Sequence, residues 1–502
     1  MRASPDFIAF EKAFAKGLPQ LVECSLVNDL ETPVSAYLKL AAAQKNAFLL
    51  ESVEGGEQLG RFSIIGLKPD IIWQCDGENS EINRNAIADP NNYTPEAGSP
   101  LDNLKQLLAE SALEPPPGAP PMAAGVFGYL GYDIIRQVER LGSRPNGGID
   151  TPDAIFVRPT IVAVFDNIRQ QIQLYTPVRI ASDLSAREAY DLACKRLSEA
   201  ADDLRRPLEH AAQSNTPSDE TTSVMPASNT QPAEFEAMVG RAKEYIRAGD
   251  IFQVVLSQRF SIPFSAPPFE LYRALRRSNP SPFMFYFNFD EFTIVGSSPE
   301  ILVRVRDNEI TIRPIAGTRP RGATPEEDNQ FERDLIADPK ERAEHLMLLD
   351  LGRNDVGRSA EIGSVEVTER FNVERYSHVM HIVSNVVGAL RKDHHPVDAV
   401  INGFPAGTVT GAPKIRAMSI IDELEKSGRG VYAGAIGYFS ANGNVDTCIA
   451  LRTAVLKDGT MHVQAGAGIV ADSDAQSEQR ECENKAKALF AAAKTALDRQ
   501  SG

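Results

Sequence analysis

The stretch D-P-K-E-R-A-E-H-L-M-L-L-D-L-G-R-N-D-V-G-R, residues 338–358, decides how the rest of the chain is read. Asp338 has the character of a helix N-cap, Pro339 of a first helical residue and Gly352 of a stop. Glu341 and Glu344 stand three apart, so both carboxylates leave one side of the helix. Leu346, Met347, Leu348, Leu349 and Leu351 cover the remainder, and a helix apolar nearly all round is expected to be buried. Carboxylates in such a helix need a cation, a proton or a donor, because an unpaired buried charge is costly. Glu341 has a second, purely structural reading, since it also occupies the capping-box position three residues after the N-cap.

A second acidic helix is expected near the end of the chain. After a glycine-rich turn at 464–468 comes S-D-A-Q-S-E-Q-R-E-C-E-N-K-A-K-A-L-F, where Glu478, Glu481 and Lys485 share a stripe at i, i+3 and i+7. An apolar stripe of Ala486, Leu489, Phe490, Ala493 and Leu497 runs beside it. Two E-x-x-E pairs on separate core-edge helices offer oxygen ligands to a hard divalent cation. No Cys/His cluster competes for a softer metal, so Mg²⁺ suits the set better than Zn²⁺.

With 502 residues, 42% of them hydrophobic, the chain can bury a large core. A net charge of −16 argues against nucleic-acid or anionic-membrane partners, so an anionic substrate needs a local basic pocket. Five scattered cysteines without C-x-x-C spacing suggest reduced thiols. Neither a leader-type apolar segment nor a run approaching the roughly 20 apolar residues of a membrane span is visible, so the expectation is a cytoplasmic protein.

Strand patterns appear at 47–53, 61–66, 154–157, 160–165, 170–175, 251–261, 283–289, 292–297, 300–305, 431–440, 446–456 and 460–466. Helices are expected at 185–205, 233–248, 327–351, 396–425 and after 473. So many strands imply an α+β (α/β) fold of two packed sheets flanked by helices. Residues 206–232 are rich in Ser, Thr, Asn, Gln and Pro and suggest a polar linker or loop. It divides an N-terminal region (1–205) from a second region (233–502), the two expected to pack as one continuous core.

Three glycine-bearing stretches, P-I-A-G-T-R-P-R-G (314–322), F-P-A-G-T-V-T-G-A-P-K (404–414) and Q-A-G-A-G-I-V-A-D-S (464–473), surround the acidic helices. Each can serve as a tight turn or as a cradle of N–H and hydroxyl donors for an anion. Arg452, in the expected strand C-I-A-L-R-T-A, either grips a substrate carboxylate or pairs with a core glutamate.

These motifs, with G-S-S-P-E (296–300) and E-N-K-A (483–486), together resemble the chorismate-utilising enzymes, in particular the branch of anthranilate synthase large subunits (component I). The resemblance spans the chain, is densest from about 249 to 489, and implies two largely antiparallel sheets in the chorismate-binding fold. It also implies Glu344 and Glu481 as Mg²⁺ ligands supported by Glu341 and Glu478. Glu300 would protonate the departing 4-hydroxyl, and His381 would assist a second step. Tyr432, Arg452 and Lys485 would hold the enolpyruvyl carboxylate, with Gly466 and Gly468 beside it. Thr408 would contact the ring carboxylate, and Ala316, Gly317 and Thr318 would complete the substrate wall.

Two positions separate the relatives. Aminodeoxychorismate synthases carry a nucleophilic lysine where this chain has Ala316, and isochorismate-forming enzymes carry a water-activating lysine where it has Gln253. An amide is no general base at neutral pH. The activity implied is therefore amination of chorismate by ammonia to 2-amino-2-deoxyisochorismate, then loss of pyruvate to give anthranilate, the first step of tryptophan biosynthesis. No G-x-C-x-G elbow is present, so ammonia is expected from a separate glutamine amidotransferase subunit; the resemblance implies a heterotetramer of two large and two small subunits. Leu50, Glu51 and Ser52, then Asn279, Pro280, Pro282, Phe283 and Met284, with Gly437 and Tyr438, match the family's L-tryptophan inhibitor site. Two further readings are an aminodeoxychorismate-type synthase and a catalytically silent tryptophan-sensing subunit.

Overall fold

The computed structural model describes residues 2–54, 58–180, 184–208, 226–376 and 379–499. Among these, every strand pairing is antiparallel. The strands form two packed layers. One runs, in spatial order, through Gln20–Val27, Gln171–Val178, Ala154–Asp166, Gln58–Asp76, Ala47–Glu54, Phe283–Phe289, Phe292–Ser298, Thr453–Lys457, Thr460–Ile469 and Gln253–Pro263. The other runs from Ala154–Asp166 through Gly125–Leu130, Ala435–Ser440, Val445–Ile449, Ile301–Arg306 and Glu309–Ile312 to Val379–Ala389. Ile315–Pro320 and Glu366–Arg375 flank that last strand.

The layers are joined because the chain passes from one to the other. The long strands Gln58–Asp76 and Ala154–Asp166 serve both, and bend where Pro69 faces Pro159 across a bulge. Neither proline carries an N–H, so the ladder is loose where the bend must occur. Two tighter crossings follow, one at Pro299-Glu300 and one at Leu451-Arg452. They lie side by side: Ile449 N–H donates to the Glu300 carbonyl (3.0 Å) and Ser297 N–H to the Arg452 carbonyl (3.2 Å). Aromatic rings fill the space between the layers, with Phe48 stacked on Phe127 at 4.5 Å and Tyr129 packed on Phe289 and Phe292.

Several elements differ from the sequence reading. The helix at 327–351 is two helices, Pro325–Ala337 and Pro339–Gly357, separated at Asp338, whose place before a proline disfavours helical backbone. The second continues past Gly352, where a Cβ would come within 3.0 Å of the Pro314 ring; close packing, not termination, calls for glycine there. That helix is buried on one side only, and Leu346 is exposed. The span 396–425 is cut by Pro405 and Pro413 into Pro396–Gly403, Gly407–Thr410 and Lys414–Leu424. The glycine-rich turn at 464–468 is part of the strand Thr460–Ile469, and the strand at 446–456 is broken by Arg452, whose φ is +47°. Of the expected linker, 209–225 lie outside the described residues, while Ala227–Ser228 already pairs with 260–261 and the helix Pro232–Ala248 has begun. No described helix is long and apolar enough to cross a membrane, and all five cysteines are free.

One buried ion pair ties the helix Lys414–Leu424 to the first sheet. Arg429 and Glu425 have side chains only 1% and 2% exposed, 2.6 Å apart. Arg429 also donates to the carbonyls of Val255 and Val409, each at 2.7 Å, while Glu425 accepts from the Ser257 N–H and hydroxyl at 2.8 Å. Removing one member strands the other in a dry site. Arg429→Met is expected to cost about 3–5 kcal/mol, read as a lower urea midpoint with an unchanged slope; a loss under about 1 kcal/mol would show the pair to be dispensable.

Candidate active site

A cavity of about 550 Å³ opens along the seam between the layers. Glu300 reaches it from one crossing and Arg452 from the adjacent one. Gln253, Ala316, Gly317, Thr318, Glu341, Glu344, His381, Thr408, Tyr432, Gly466, Gly468, Glu478, Glu481 and Lys485 line the same space. Every catalytic, substrate and metal position expected from the sequence is thus brought to one cavity, from segments more than two hundred residues apart.

Glu300 is buried and accepts a hydrogen bond from the Thr408 hydroxyl at 2.9 Å. Burial pushes its carboxyl up to about 8, against the downward pull of Thr408, Lys485 and Arg452. It is therefore a carboxylic acid that keeps its proton near neutral pH. Arg452 is held in a desolvated position that lowers its own pKa, in the field of Glu300. No described residue forms an ion pair with it, so the alternative of a core-glutamate partner is not realised. Lys485 donates to the Gly466 carbonyl at 2.9 Å and pairs with Glu481 at 2.7 Å. Gly466 leaves room for the Tyr432 hydroxyl, which a Cβ would approach to 2.9 Å.

His381 sits beside the bulge in Ile315–Pro320, and its Nδ1 lies 3.0 Å from the Gly317 carbonyl and 3.1 Å from the Thr318 hydroxyl. A carbonyl only accepts, so Nδ1 carries the proton and Nε2 is left as the basic nitrogen. Burial lowers the pKa of the ring, which favours this neutral form. Gly317 has φ +69°, and a Cβ there would come 3.1 Å from Glu341 Oε2.

The two acidic helices converge on the cavity as expected. Burial, then Glu341 and Glu481, raise the pKa of Glu344. Burial and Glu481 raise that of Glu478, against the Ser473 hydroxyl. Mutual repulsion of this kind marks an acidic set short of positive charge. Among the described residues no three acidic, histidine or cysteine side chains close into a metal cage. An open set of hard oxygen donors fits Mg²⁺, which keeps water and takes one or two carboxylates. Glu344 and Glu481 would hold such an ion, with Glu478 nearby. Glu341 is committed in part to Arg319 at 2.9 Å. It makes no reciprocal capping box: Asp338 accepts from the Lys340 and Glu341 N–H groups, but the Glu341 carboxylate accepts from Arg319 instead.

Lys340, Gln464 and Ser473 also reach the cavity and were not read from the sequence. Gln464 shares a strand face with Gly466 and Gly468, and Lys340 lies one turn before Glu344; these periodicities were the available signals.

A second cavity, about 750 Å³, is lined by Leu50, Glu51, Ser52, Pro282, Phe283, Met284, Gly437 and Tyr438, as the expected regulatory set requires. Asn279 and Pro280 do not line it; Asn279 lies beyond the end of helix Pro268–Ser278, its carbonyl taken by the Ser297 hydroxyl at 2.5 Å. Nor is the Glu51 carboxylate free, being held by Tyr272 at 2.5 Å and by Arg276 at 2.6 and 3.0 Å. Gly437 is required by strand pairing, since a Cβ would come 2.0 Å from the Asp446 carbonyl. Pro299 and Ile315 form part of the wall of both cavities.

Residues 45–491 match the family of chorismate binding enzymes. The chain is 55% identical, over 98% of its length and 97% of the relative's, to component 1 of anthranilate synthase from Cereibacter sphaeroides. It is 49% identical to the component 1 of Pseudomonas aeruginosa, over 94% of each chain. Among solved structures, anthranilate synthase component I from Streptococcus pneumoniae aligns at TM-score 0.75 and 38% identity, covering 92% of this chain and 98% of the other. The menaquinone-specific isochorismate synthase MenF of Escherichia coli shares the fold at TM-score 0.69, with 19% identity. The chain belongs to the chorismate-binding enzyme family. Within it, the chain stands with the component 1 subunits of anthranilate synthase, which are lyases.

The raised acid has a cost that can be measured. Its folded pKa exceeds the ordinary carboxyl value, so the folded state binds the extra proton and stability falls as pH rises from about 4.5 to about 8. Glu300→Gln is expected to abolish turnover yet melt higher than the parent above pH 8, and level with it near pH 4. In the parent, kcat/KM should fall as pH rises through about 8. A variant less stable than the parent at every pH would contradict the buried neutral acid.

Proposed function

We propose that this chain is the large subunit of an anthranilate synthase, which aminates chorismate with ammonia and then eliminates pyruvate. The observation that carries the reading is Glu300: a protonated buried acid at a layer crossing, facing the cationic groups Arg452 and Lys485 across one cavity. Ammonia bonds to ring carbon 2, the double bonds shift, and the C4–O bond breaks. The departing hydroxyl takes the Glu300 proton and leaves as water. The new ammonium then gives up a proton, which restores the acid. In this reading Arg452 and Lys485, with the Tyr432 hydroxyl, hold the enolpyruvyl carboxylate.

The Thr408 hydroxyl donates to Glu300, which supports a role in orienting the acid beside the ring-carboxylate contact that the reading assigns to it. In the second step the neutral Nε2 of His381 removes the proton from carbon 2 while the bond from ring carbon 3 to the enolpyruvyl oxygen breaks and the ring becomes aromatic. The enolpyruvate released takes a proton on its methylene carbon, which gives pyruvate and restores the neutral ring of His381. Magnesium, when bound through Glu344 and Glu481, supplies neutralisation of the ring carboxylate. Ala316 speaks against the aminodeoxychorismate reading, because a methyl group cannot attack the ring. The complete acidic and basic set speaks against a silent binding subunit.

The naming of the relatives as component 1 supports a partner that provides ammonia. The second cavity supports L-tryptophan as a regulator: Pro282, Phe283 and Met284 give an apolar wall for an indole, with Ser52 nearby. With Glu51 bound to Arg276, the ligand's ammonium would rely on the Ser52 hydroxyl and backbone carbonyls.

The isolated chain with chorismate and Mg²⁺ should form fluorescent anthranilate from ammonium and none from glutamine. Glutamine-dependent turnover without a second subunit would defeat the proposed division of labour. Ser52→Phe should raise the tryptophan concentration for half-inhibition by about tenfold or more while leaving turnover without tryptophan intact; unchanged sensitivity would count against the second cavity as the inhibitor site.

A further inference from the structure

Asp70 is the extra residue of the bulge at the Pro69–Pro159 bend, and Arg158 stands on the opposite strand beside Pro159. Arg158 is only 8% exposed and donates to both Asp70 oxygens, at 2.8 and 2.7 Å, so one guanidinium takes the whole carboxylate. Two more arginines enter the field of Asp70 from neighbouring elements. Arg179 follows directly on the strand Gln171–Val178, and Arg196 lies on the helix Ala186–Arg205, which packs against that strand. Arg179 donates from Nη2 to the Ser111 carbonyl at 3.0 Å, and Arg158 from Nη1 to the Ser111 hydroxyl at 3.3 Å. Among the described residues neither Arg179 nor Arg196 forms an ion pair, and Arg196 makes no hydrogen bond. Glu110, the other acid in the field of Arg158, is held by Arg84 at 2.6 Å. Burial lowers the pKa of Arg179 and of Arg196, that of Arg179 to about 10 with Arg158 pushing the same way. Asp70 and the three arginines line neither of the two large cavities.

We infer that Arg158, Arg179 and Arg196 form a binding site for a phosphate dianion, either the free ion or a phosphomonoester. Three guanidiniums share one carboxylate here, in a chain whose net charge is −16, so the excess of positive charge is local. Cations drawn out of water without a counter-charge cost stability, and two positive charges remain once Asp70 is counted. A phosphate dianion carries that much charge on one centre. Its oxygens point to several sides, which suits guanidinium forks arriving from the sheet bend, a strand end and a helix. A dicarboxylate separates its charges along a chain and fits such converging forks less well. The bound ion ties the helix Ala186–Arg205 to the bend at which the layers part, so it acts on the stability of the fold and not on the chemistry of the active cavity.

The test is thermal melting and calorimetric titration of the full chain with inorganic phosphate, at about pH 7.5 where phosphate is mostly dianionic, ionic strength being held with sodium chloride. Tm should rise with phosphate and saturate. Arg196→Met removes a cation that has no partner, so it should weaken phosphate binding about tenfold or more, yet melt no lower than the parent when phosphate is absent. Arg179→Met should weaken binding likewise; where it folds poorly, Arg196→Met alone decides. Glycerol phosphate serves as the monoester probe. Binding at least as tight as that of inorganic phosphate identifies an esterified ligand, weaker binding identifies the free ion, and either supports the site. A rise in Tm matched by chloride at equal ionic strength, a phosphate affinity unchanged in Arg196→Met, or tighter binding of malonate than of phosphate would overturn it.

Discussion

The structure depends on the chain's passing between two stacked sheets at adjacent points. Residues at such a crossing cannot satisfy themselves in either ladder, and they border the cavity between the layers. Glu300 and Arg452 occupy the two crossings, next to each other through backbone hydrogen bonds of their neighbours. The fold thus places an acid and a cation where the dielectric is low and their ionisation is most sensitive to surroundings. The Arg429–Glu425 pair keeps this gap open to size, because Arg429 fixes both Val255 on the strand and Val409 beside Thr408.

Burial at the seam works against stability and in favour of chemistry. Glu300 holds its proton because its charge is poorly solvated, while Glu344 carries the same penalty made worse by Glu341 and Glu481, and Glu478 by Glu481. Basic groups do not cancel it fully: Lys485 reaches only Glu481 and Arg319 only Glu341 within the acidic set. Such an excess of negative charge is what a bound cation would relieve, which would couple its occupancy to stability.

The acidic helices were legible because a helix repeats its faces, and a spacing of three fixes Glu341 with Glu344 and Glu478 with Glu481 on common sides. The strands Phe283–Phe289 and Phe292–Ser298 were legible from alternation and β-branched or aromatic content. Glu300 and His381 were found only through the motifs around them, since one polar residue in an apolar strand carries no periodic signal; Arg452 stood out as a charge among apolar neighbours, with two roles left open. The crossings themselves were not visible. Gln58–Asp76 was read only as far as 66, because a strand that changes sheets also changes which face is buried. Arg452 was assigned to a continuous strand, because nothing in A-L-R-T betrays a left-handed backbone. Asn279 and Pro280 were adjacent in sequence to cavity residues, yet the end of a helix turns them away.

The bend at Pro69 and Pro159 has a consequence for how the chain can be divided. Because the strands on either side of it serve both layers, the first two hundred residues are woven through the molecule rather than appended to it. Phe283–Phe289 takes its neighbour from Ala47–Glu54, and Ala435–Ser440 takes its own from Gly125–Leu130. Cutting the polypeptide at the polar segment near residue 206 would bare two long apolar sheet margins at once, the kind of open hydrogen-bonding edge that recruits other chains into aggregates.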